Sequence, residues 1–314
     1  MTNFAKDPVF NFILKGQLHY EVVQKDNEDT PPHALKVFGN GEVGQIMNTA
    51  GKLAASLHRS KRLQLFCCLG SDEKGVPIVK DLAKDVRQLL VTGLQGSGKS
   101  NAVTFIIMSL LWGNAPQTTK LFIFDVKNDY AHLDKVAKVV SSPGEIGEAI
   151  KKLKEQLLER AKSRKKLRNI TEVNHWKKQR NLPLLERIVI VIDEYSVTSS
   201  AVPNLNEDLQ VIANSGRSEG FYLIIITQRA DRDQLPPAIK ANASTNLAFR
   251  QRDHYNAQIS GEKDSKIIKK QGFAFLNEDS DESKQVHFPF ISLANLKRAC
   301  SELSVFFKGE KSDF

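Results

Sequence analysis

The sequence has few cysteines, and none of them suggests a metal site or a disulfide framework. Only three occur in 314 residues, at Cys67, Cys68 and Cys300, and no pair has CxxC spacing. The seven histidines are scattered and form no HExxH motif. Zinc sites and disulfide scaffolds both need a more regular spacing than this. We therefore expect three buried, reduced thiols that serve as small apolar side chains.

A long hydrophobic run is also missing. A membrane-spanning helix needs about 20 consecutive apolar residues, and the longest apolar stretch, 103–112, is far shorter. The first residues, MTNFAKDPVF, lack the basic and then apolar pattern of a signal peptide. We expect a cytoplasmic chain without an intrinsic membrane span, which would need a membrane-anchored partner to be recruited to a bilayer.

The positive charge is concentrated in one segment. The net charge is +9, from 45 basic and 36 acidic residues. Residues 151–187 hold 13 of the basic and 4 of the acidic residues, and so account for the whole excess. Such a segment is typical of a protein that binds a polyanion, but a solvated helix face would have the same composition.

Three regions follow from the pattern along the chain. Residues 1–62 form an N-terminal extension of unassigned role, with a polar, proline-containing loop at 24–33 and a helix predicted at 41–60. Residues 63–298 alternate between strands and helices, and 299–314 form a C-terminal tail.

Continuous apolar runs in the central region predict an α/β fold of the RecA-like P-loop NTPase type. A hairpin at 63–82 leads into five buried strands, at 88–93, 120–126, 187–194, 221–228 and 245–250. Because these runs are apolar throughout rather than alternating, both faces of each strand are expected to be covered. The expected architecture is a mainly parallel central sheet with helices on both faces.

A phosphate-binding loop lies between the first of these strands and a predicted helix. The stretch GLQGSGKSN has the spacing of a nucleotide cradle, in which glycines let backbone N–H groups face the phosphates. Lys99 is expected between the β- and γ-phosphates, and Ser100 on a Mg²⁺ ion. The predicted ATP-binding residues are Gly93, Gly96, Ser97, Gly98, Lys99, Ser100 and Asn101.

Two adjacent acids end the strand at 187–194. Asp193 is expected to hold Mg²⁺ together with Ser100, and Glu194 to polarise an attacking water. The second acid favours an enzyme that hydrolyses ATP over a small-molecule kinase or a GTPase. Two solvated acids at a strand end are the alternative interpretation.

Two further groups are candidates for sensing or completing the site. A strand end near the γ-phosphate places Thr227 or Gln228 where it could sense hydrolysis, although Gln228 could also cap the strand. Arg217 is the first candidate for an arginine supplied across a subunit boundary, ahead of Arg229 and Arg250. An arginine at a helix end, favoured there by the helix dipole, is the alternative.

The segment FDVKNDY, at 124–130, ends another strand. Asp125 and Lys127 lie just past the strand end, at the edge where ligands bind in open α/β sheets. A structural Asp–Lys pair explains them equally well.

The order of these motifs resembles the motor domain of FtsK/SpoIIIE-family DNA translocases. The resemblance covers 63–296 and rests on VPIVKDLAKDVRQLLVTGLQGSGKSN, FIFDVKNDYAHL, RNITEVN, LPLLERIVIVIDEY and GRSEGFYLIIITQRA. It implies a hexameric ring around double-stranded DNA, driven by ATP hydrolysis with Mg²⁺. It further implies that Lys99, Ser100, Asp193, Glu194 and Gln228 act in each nucleotide site, with Arg217 as the finger for a neighbour.

The resemblance also suggests the biological setting. About 18 residues follow the matched core, which is short for the winged-helix domain of chromosome translocases. A compact motor of this kind is more similar to plasmid or integrative-element transfer proteins. A motor similar to those of type VII secretion, which moves proteins, is the alternative; such motors usually carry several motor domains in tandem.

Overall fold

A ten-stranded sheet is the centre of the fold. A computed structural model of the chain describes residues 37–39, 41–61, 64–114, 118–164, 166–228, 235–278 and 282–307. The predicted loop at 24–33 and Arg229 lie outside these ranges. The strands are β1 Phe66–Ser71, β2 Pro77–Asp81, β3 Leu89–Thr92, β4 Thr119–Phe124, β5 Lys138–Val140, β6 Arg187–Ile192, β7 Phe221–Thr227, β8 Thr245–Phe249, β9 Phe273–Glu278 and β10 Lys284–His287.

Helices connect and cover the strands. The described α-helices are α1 Glu42–Lys61, α2 Lys99–Gly113, α3 Pro143–Ser163, α4 Ile170–Lys178, α5 Tyr195–Ala201, α6 Leu205–Glu219, α7 Pro237–Asn242, α8 His254–Ile259 and α9 Leu293–Phe307. Short turns of other helix types lie at Leu82–Val86, Ala131–Leu133 and Lys263–Ile267.

The sheet has a parallel and an antiparallel part. The strand order is β2-β1-β10-β9-β8-β3-β7-β6-β4-β5. The six strands from β8 to β5 are parallel to one another. The other four, β9, β10, β1 and β2, pair antiparallel. The predicted α/β fold with a mainly parallel sheet is therefore confirmed, and so is the leading hairpin.

Alternate residues of each central strand enter two different cores. Along β6, Val189 and Val191 pack on one side of the sheet, and Ile190 and Ile192 on the other. The first core is closed by α1, α2 and α9, and the second by α3, α5 and α6. Because both faces are covered, these strands can be apolar at every position, as the sequence pattern indicated.

Some elements were not predicted from the sequence. The strand β5 has three residues, too few to give a periodic signal, and β9 and β10 carry polar residues on one side. The helix α9 runs across position 298, and Leu296, Cys300 and Leu303 are buried in the first core. The region boundaries at 62 and 298 stay predictions.

The parallel strands bring distant segments to one edge. The carboxyl ends of β3, β4, β6 and β7 all point the same way because these strands are parallel. The segments that follow them begin at Gly93, Asp125, Asp193 and Gln228. Binding sites in open α/β sheets form at this edge, which is called the carboxyl edge below.

Candidate functional site

The loop at 93–100 needs its glycines. Gly93 and Gly98 have φ angles of +148° and +107°, which are strained for any residue with a side chain. A Cβ atom at Gly93 would lie 2.6 Å from the Cβ of Phe249, and one at Gly98 would lie 2.7 Å from the backbone nitrogen of Gly272. The loop thus packs closely against β8 and the segment before β9. At positions 93 and 98 only glycine fits.

Lys99 is folded into this loop. Its side chain is buried, and Nζ donates hydrogen bonds to the carbonyls of Gly93, at 2.7 Å, and Leu94, at 3.0 Å. Burial lowers the pKa of Lys99, and the nearby carboxylates of Glu194 and Asp193 oppose that effect. The ammonium group therefore bridges the loop and faces the two acids.

Three neighbouring side chains differ in what they can offer a ligand. The Ser97 hydroxyl is buried and has no hydrogen-bond partner within the described part of the chain. Ser100 is exposed in the first turn of α2. The Asn101 amide is occupied: Nδ2 donates to the carbonyl of Pro289 and Oδ1 accepts from the N–H of Ile291, both at 2.9 Å. Ser97 and Ser100 are thus available to a nucleotide, whereas Asn101 ties the loop to another segment.

Asp193 lies in a cluster of acids at the end of β6. It is 3% exposed. Burial raises its pKa to about 7, with further contributions from the charges of Asp125 and Glu194, while Lys127 lowers it. Around neutral pH, a cation at this position would favour the ionised form.

Glu194 is held by two donors. Gln228 Nε2 lies 3.1 Å from each of its carboxylate oxygens, and Lys127 Nζ lies 3.3 Å from Oε1. Its backbone has φ +42° and ψ +59°, the left-handed conformation that a non-glycine residue adopts at a cost. This turn lets the chain pass directly from β6 into α5. Three strand ends, of β4, β6 and β7, are joined in this contact.

Asp125 has a structural role that the sequence left open. Its carboxylate accepts hydrogen bonds from the backbone N–H groups of Lys127, at 3.0 Å, and Tyr130, at 2.9 Å. These bonds fix the turn that presents Lys127 to Glu194. Lys127 thus belongs to the site, and Asp125 supports it.

Tyr130 is a member of the site that the sequence did not reveal. Its side chain is fully buried, and burial together with the charges of Asp193 and Asp125 raises its pKa. The phenol therefore stays protonated and lies among Ser100 and the two acids. The only signal in the sequence was its position six residues after the end of β4, which indicates no particular role.

The donor set at this edge fits a magnesium nucleotide. The described residues contain no group of three or more His, Cys, Asp or Glu side chains that could hold a metal alone. Mg²⁺ at nucleotide sites uses one or two protein oxygens, phosphates and water. Ser100 and Asp193 supply such oxygens, and the glycine cradle with the unpartnered Ser97 hydroxyl supplies the phosphate side.

The candidate finger Arg217 lies away from all of these residues. It is exposed in the last turn of α6, just before β7 begins, and therefore at the amino edge of the sheet. Arg250 instead follows β8 at the carboxyl edge, where its carbonyl accepts the N–H of Leu94. The structure thus separates Arg217 from its own chain's loop by the length of a strand.

Part of the basic segment at 151–187 stabilises the fold. Arg160 is buried, donates to the carbonyls of Glu186 and Glu219, and lies 5.0 Å from the centre of the Phe221 ring. Arg164 forms an ion pair with Glu219 at 3.1 Å. The exposed basic residues that remain include Lys151, Lys152, Lys162, Lys166, Lys178 and Arg180. The structural interpretation therefore applies to Arg160 and Arg164, and binding of a polyanion by the exposed residues stays a prediction.

Comparison with known sequences decides the family. The FtsK/SpoIIIE family profile matches residues 52–232, more than half of the chain. The chain belongs to the FtsK/SpoIIIE family. This confirms the resemblance found in the sequence and the predicted class, a family of P-loop ATPases.

Relatives of this family member are known from several bacteria. The DNA translocase FtsK of Clostridium tetani is 33% identical over 221 residues, which are 67% of this chain and 28% of that protein. The DNA translocase SftA of Bacillus subtilis is 27% identical over 274 residues, 82% of this chain and 28% of that protein. The chain thus spans less than a third of the length of these relatives.

Solved structures share the fold of this FtsK/SpoIIIE-family chain. The pCW3 conjugation coupling protein TcpA, solved as a monomer with ATPγS, has a TM-score of 0.66 at 21% identity and covers 77% of this chain and 71% of its own. The cytoplasmic domain of the type VII secretion ATPase EccC from Thermomonospora curvata has a TM-score of 0.67 at 18% identity, with coverages of 76% and 31%. At these identities the similarity concerns the fold.

Among the described residues, every helix is either too short or too polar to cross a bilayer.

Proposed function

We propose that this chain is the motor unit of an ATP-driven ring that moves double-stranded DNA. One observation carries the proposal: the carboxyl edge joins the glycine loop, Lys99, Asp193 and the Glu194–Gln228 contact in one place. A site of this kind suits hydrolysis of a nucleotide better than simple binding. The relatives that are named DNA translocases support DNA as the substrate that the motor moves.

The loop and Lys99 would bind the phosphates. Backbone N–H groups at the start of α2 lack partners within the helix and are available to phosphate oxygens. In the structure, Nζ of Lys99 donates hydrogen bonds to the loop carbonyls of Gly93 and Leu94. On nucleotide binding it would exchange these for the β- and γ-phosphates. Ser100 and Asp193 would hold Mg²⁺, which supplies positive charge beside the phosphate oxygens.

Glu194 would activate the attacking water. A general base must lie within hydrogen-bond reach of the proton it takes. Gln228 and Lys127 hold the Glu194 carboxylate at the strand end, 3.1 and 3.3 Å away. Movement of these donors when the γ-phosphate leaves would pass a displacement from the nucleotide site to β7.

The ring is proposed from the separation of Arg217 and Lys99. A residue at the amino edge cannot reach the loop of its own chain. It would reach the loop of a neighbouring chain whose carboxyl edge packs against this amino edge. A homo-hexamer around duplex DNA meets this need. The exposed lysines and arginines of the basic segment would contact the phosphate backbone, without sequence preference.

The biological role we propose is DNA transfer or segregation of the plasmid or conjugative type. The motor would act in the cytoplasm and could be recruited by a membrane-anchored partner. The second candidate is a secretion motor that moves proteins, favoured by the fold similarity to EccC.

ATP hydrolysis by the purified chain, with and without duplex DNA, tests the proposal. We expect clear stimulation by duplex of unrelated sequences at about 50 mM salt, and much weaker stimulation at about 200 mM, because phosphate contacts depend steeply on salt. The Glu194→Gln variant, which keeps the size of the side chain, should bind ATP and fail to hydrolyse it. Absence of duplex binding and of stimulation at low salt would overturn the DNA motor, and stimulation by a protein substrate alone would favour the secretion motor.

A further inference from the structure

An exposed aromatic side chain lies beside the phosphate loop. Among the large apolar side chains that the structure describes, Phe290 has the highest exposed fraction, 77%. A single exposed apolar residue is common on protein surfaces and means little by itself. Phe290 differs because the backbone on both sides of it is fixed.

The fixation comes from the residue that follows Ser100. The Asn101 amide bonds to the carbonyl of Pro289 and to the N–H of Ile291, one residue to either side of Phe290, each at 2.9 Å. Just before this clamp, Phe288 is buried against Phe105, with the ring centroids 5.9 Å apart. The Phe290 ring is therefore presented to solvent from a rigid backbone that is anchored to the first turn of α2.

The segments before β9 and after β10 also contact the loop at a second place. The N–H of Gly272 donates to the carbonyl of Ser97 at 3.1 Å, and the N–H of Phe288 donates to the carbonyl of Gly272 at 2.9 Å. The loop, the segment before β9 and the segment after β10 thus form one connected unit. Phe290 lies on the solvent-exposed side of this unit, next to Asn101 in the first turn of α2.

The chemistry of a nucleotide gives this position a use. The loop's backbone N–H groups hold the α- and β-phosphates, and the ribose and base are attached to the α-phosphate. The base would then leave the loop beside the first turn of α2, where Asn101 holds the Phe290 segment. Bases stack well on aromatic rings, and such stacking tolerates different bases because each has a π-face.

We infer that Phe290 stacks on the base of the bound nucleotide. The inference rests on the proposed function, since it requires that the loop at 93–100 binds ATP. Its role is to increase affinity for the nucleoside part of the ligand, and Asn101 positions it. Removing the ring changes how the base is held and leaves the phosphate contacts in place.

Calorimetric titration of the full chain separates these contributions. The ligands are the magnesium complexes of ADP and of inorganic tripolyphosphate, which has the phosphates and lacks the base. We expect Phe290→Ala to weaken ADP binding about tenfold, in line with the loss of one base–aromatic stack, and to leave tripolyphosphate binding unchanged. Phe290→Trp should restore ADP affinity to at least the wild-type value.

Trp176 provides a matched control. It is a half-exposed aromatic residue on α4, a helix whose Ile170 packs at Gly220, at the amino edge of the sheet. Trp176→Ala should bind both ligands as the wild type does. Because Phe290 is exposed, its variants should melt at the wild-type temperature, which excludes loss of folding as the cause of any change.

The outcomes distinguish this inference from the proposed function. If the wild type binds both ligands and Phe290→Ala binds ADP equally well, the stacking role is wrong and the nucleotide site stands. If Phe290→Ala weakens both ligands to the same extent, the residue acts through the loop and the stacking role is again wrong. If the wild type binds neither ligand, the proposed function fails, and the inference fails with it.

Discussion

Gln228 Nε2 lies at the same distance, 3.1 Å, from both carboxylate oxygens of Glu194. One amide group thus spans the carboxylate that is proposed to activate water, and it does so from a neighbouring strand. A change in the separation of β6 and β7 must alter this contact. The pair is therefore the most direct link between the chemistry and the shape of the sheet.

Replacing Gln228 by alanine should slow hydrolysis without weakening binding. We expect kcat to fall by about one to two orders of magnitude, since the base loses the donor that orients it, while the Kd for ADP stays within about twofold. In a Glu194→Gln background the same substitution should cause no further loss, because it acts through that carboxylate. An equal additional loss in both backgrounds would show that Gln228 acts independently of Glu194.

Lys127 should contribute less, because it is 41% exposed. Lys127→Met is expected to lower kcat roughly tenfold or less, as screened ion pairs are weak, and Lys127→Arg should retain most of the activity. The control is Lys120→Met, at the start of β4, the strand that precedes Lys127, where the ammonium pairs with Glu186 at 3.2 Å. Similar losses for Lys120 and Lys127 would indicate a general effect of charge instead of a contact with Glu194.

Asp193 should make the nucleotide-free protein less stable as pH rises. Its pKa is raised from an ordinary 3.8 to about 7, so the folded protein binds a proton that the unfolded chain has already released between these values. The free energy of unfolding therefore falls between about pH 4 and pH 7, by up to about 4 kcal/mol at 1.4 kcal/mol per unit. Thermal melts without magnesium should show Asp193→Asn melting above the wild type at pH 8.

The pH dependence is the decisive part of this measurement. The gap between the Asp193→Asn variant and the wild type should close as the pH is lowered toward about 4, where both side chains are neutral. A gap that is the same at all pH values would mean that packing of the amide, and not titration of the acid, sets the difference.

Arg217 should be needed by a neighbouring subunit and not by its own. Arg217→Ala is expected to bind ATP normally and to lose hydrolysis by about three orders of magnitude, the lower end for a trans arginine. Mixing it with inactive Glu194→Ala subunits should restore part of the activity, since some interfaces then combine an intact arginine with an intact base. Normal hydrolysis by Arg217→Ala would remove this residue from the site. Arg168, an exposed arginine that forms an ion pair with Glu172, serves as the control.

Arg160 should behave as a structural residue despite its place in the basic segment. Arg160→Ala removes the donor to two carbonyl groups and one of the two cations that pair with Glu186, so we expect a loss of about 3 kcal/mol in the free energy of unfolding. Arg168→Ala, in contrast, should cost less than about 1 kcal/mol. Denaturant unfolding measures both, and equal small effects would contradict the structural role of Arg160.

The sequence predicted the parallel core and the order of its motifs well, for a physical reason. A strand covered on both faces is apolar throughout, and 187–192 and 221–227 are such runs. The motifs then follow from the strands, because the end of each parallel strand reaches the same edge. Strand β5, with three residues, and the partly polar β10 leave no comparable signal.

Contacts between distant segments could not be predicted in this way. The bond from Asn101 to Pro289 and the approach of Gly272 to Gly98 depend on how β9 and β10 return to the sheet beside β8. The assignment of Asn101 to the nucleotide stays a prediction, and the sequence did not reveal that its side-chain amide bonds to Pro289 and Ile291. The left-handed turn at Glu194 and the burial of Tyr130 are likewise properties of the folded chain.

The Asn101–Pro289 contact joins residues 188 positions apart. During synthesis, the glycine loop therefore leaves the ribosome long before the segment that supports it exists. A growing chain carries the phosphate-binding motif without the partners of the Ser97 carbonyl and the Asn101 amide, and these arrive only when 272–291 has emerged. The chain thus completes the surroundings of its loop near the end of translation, so a chain interrupted before that point has the motif but not its support.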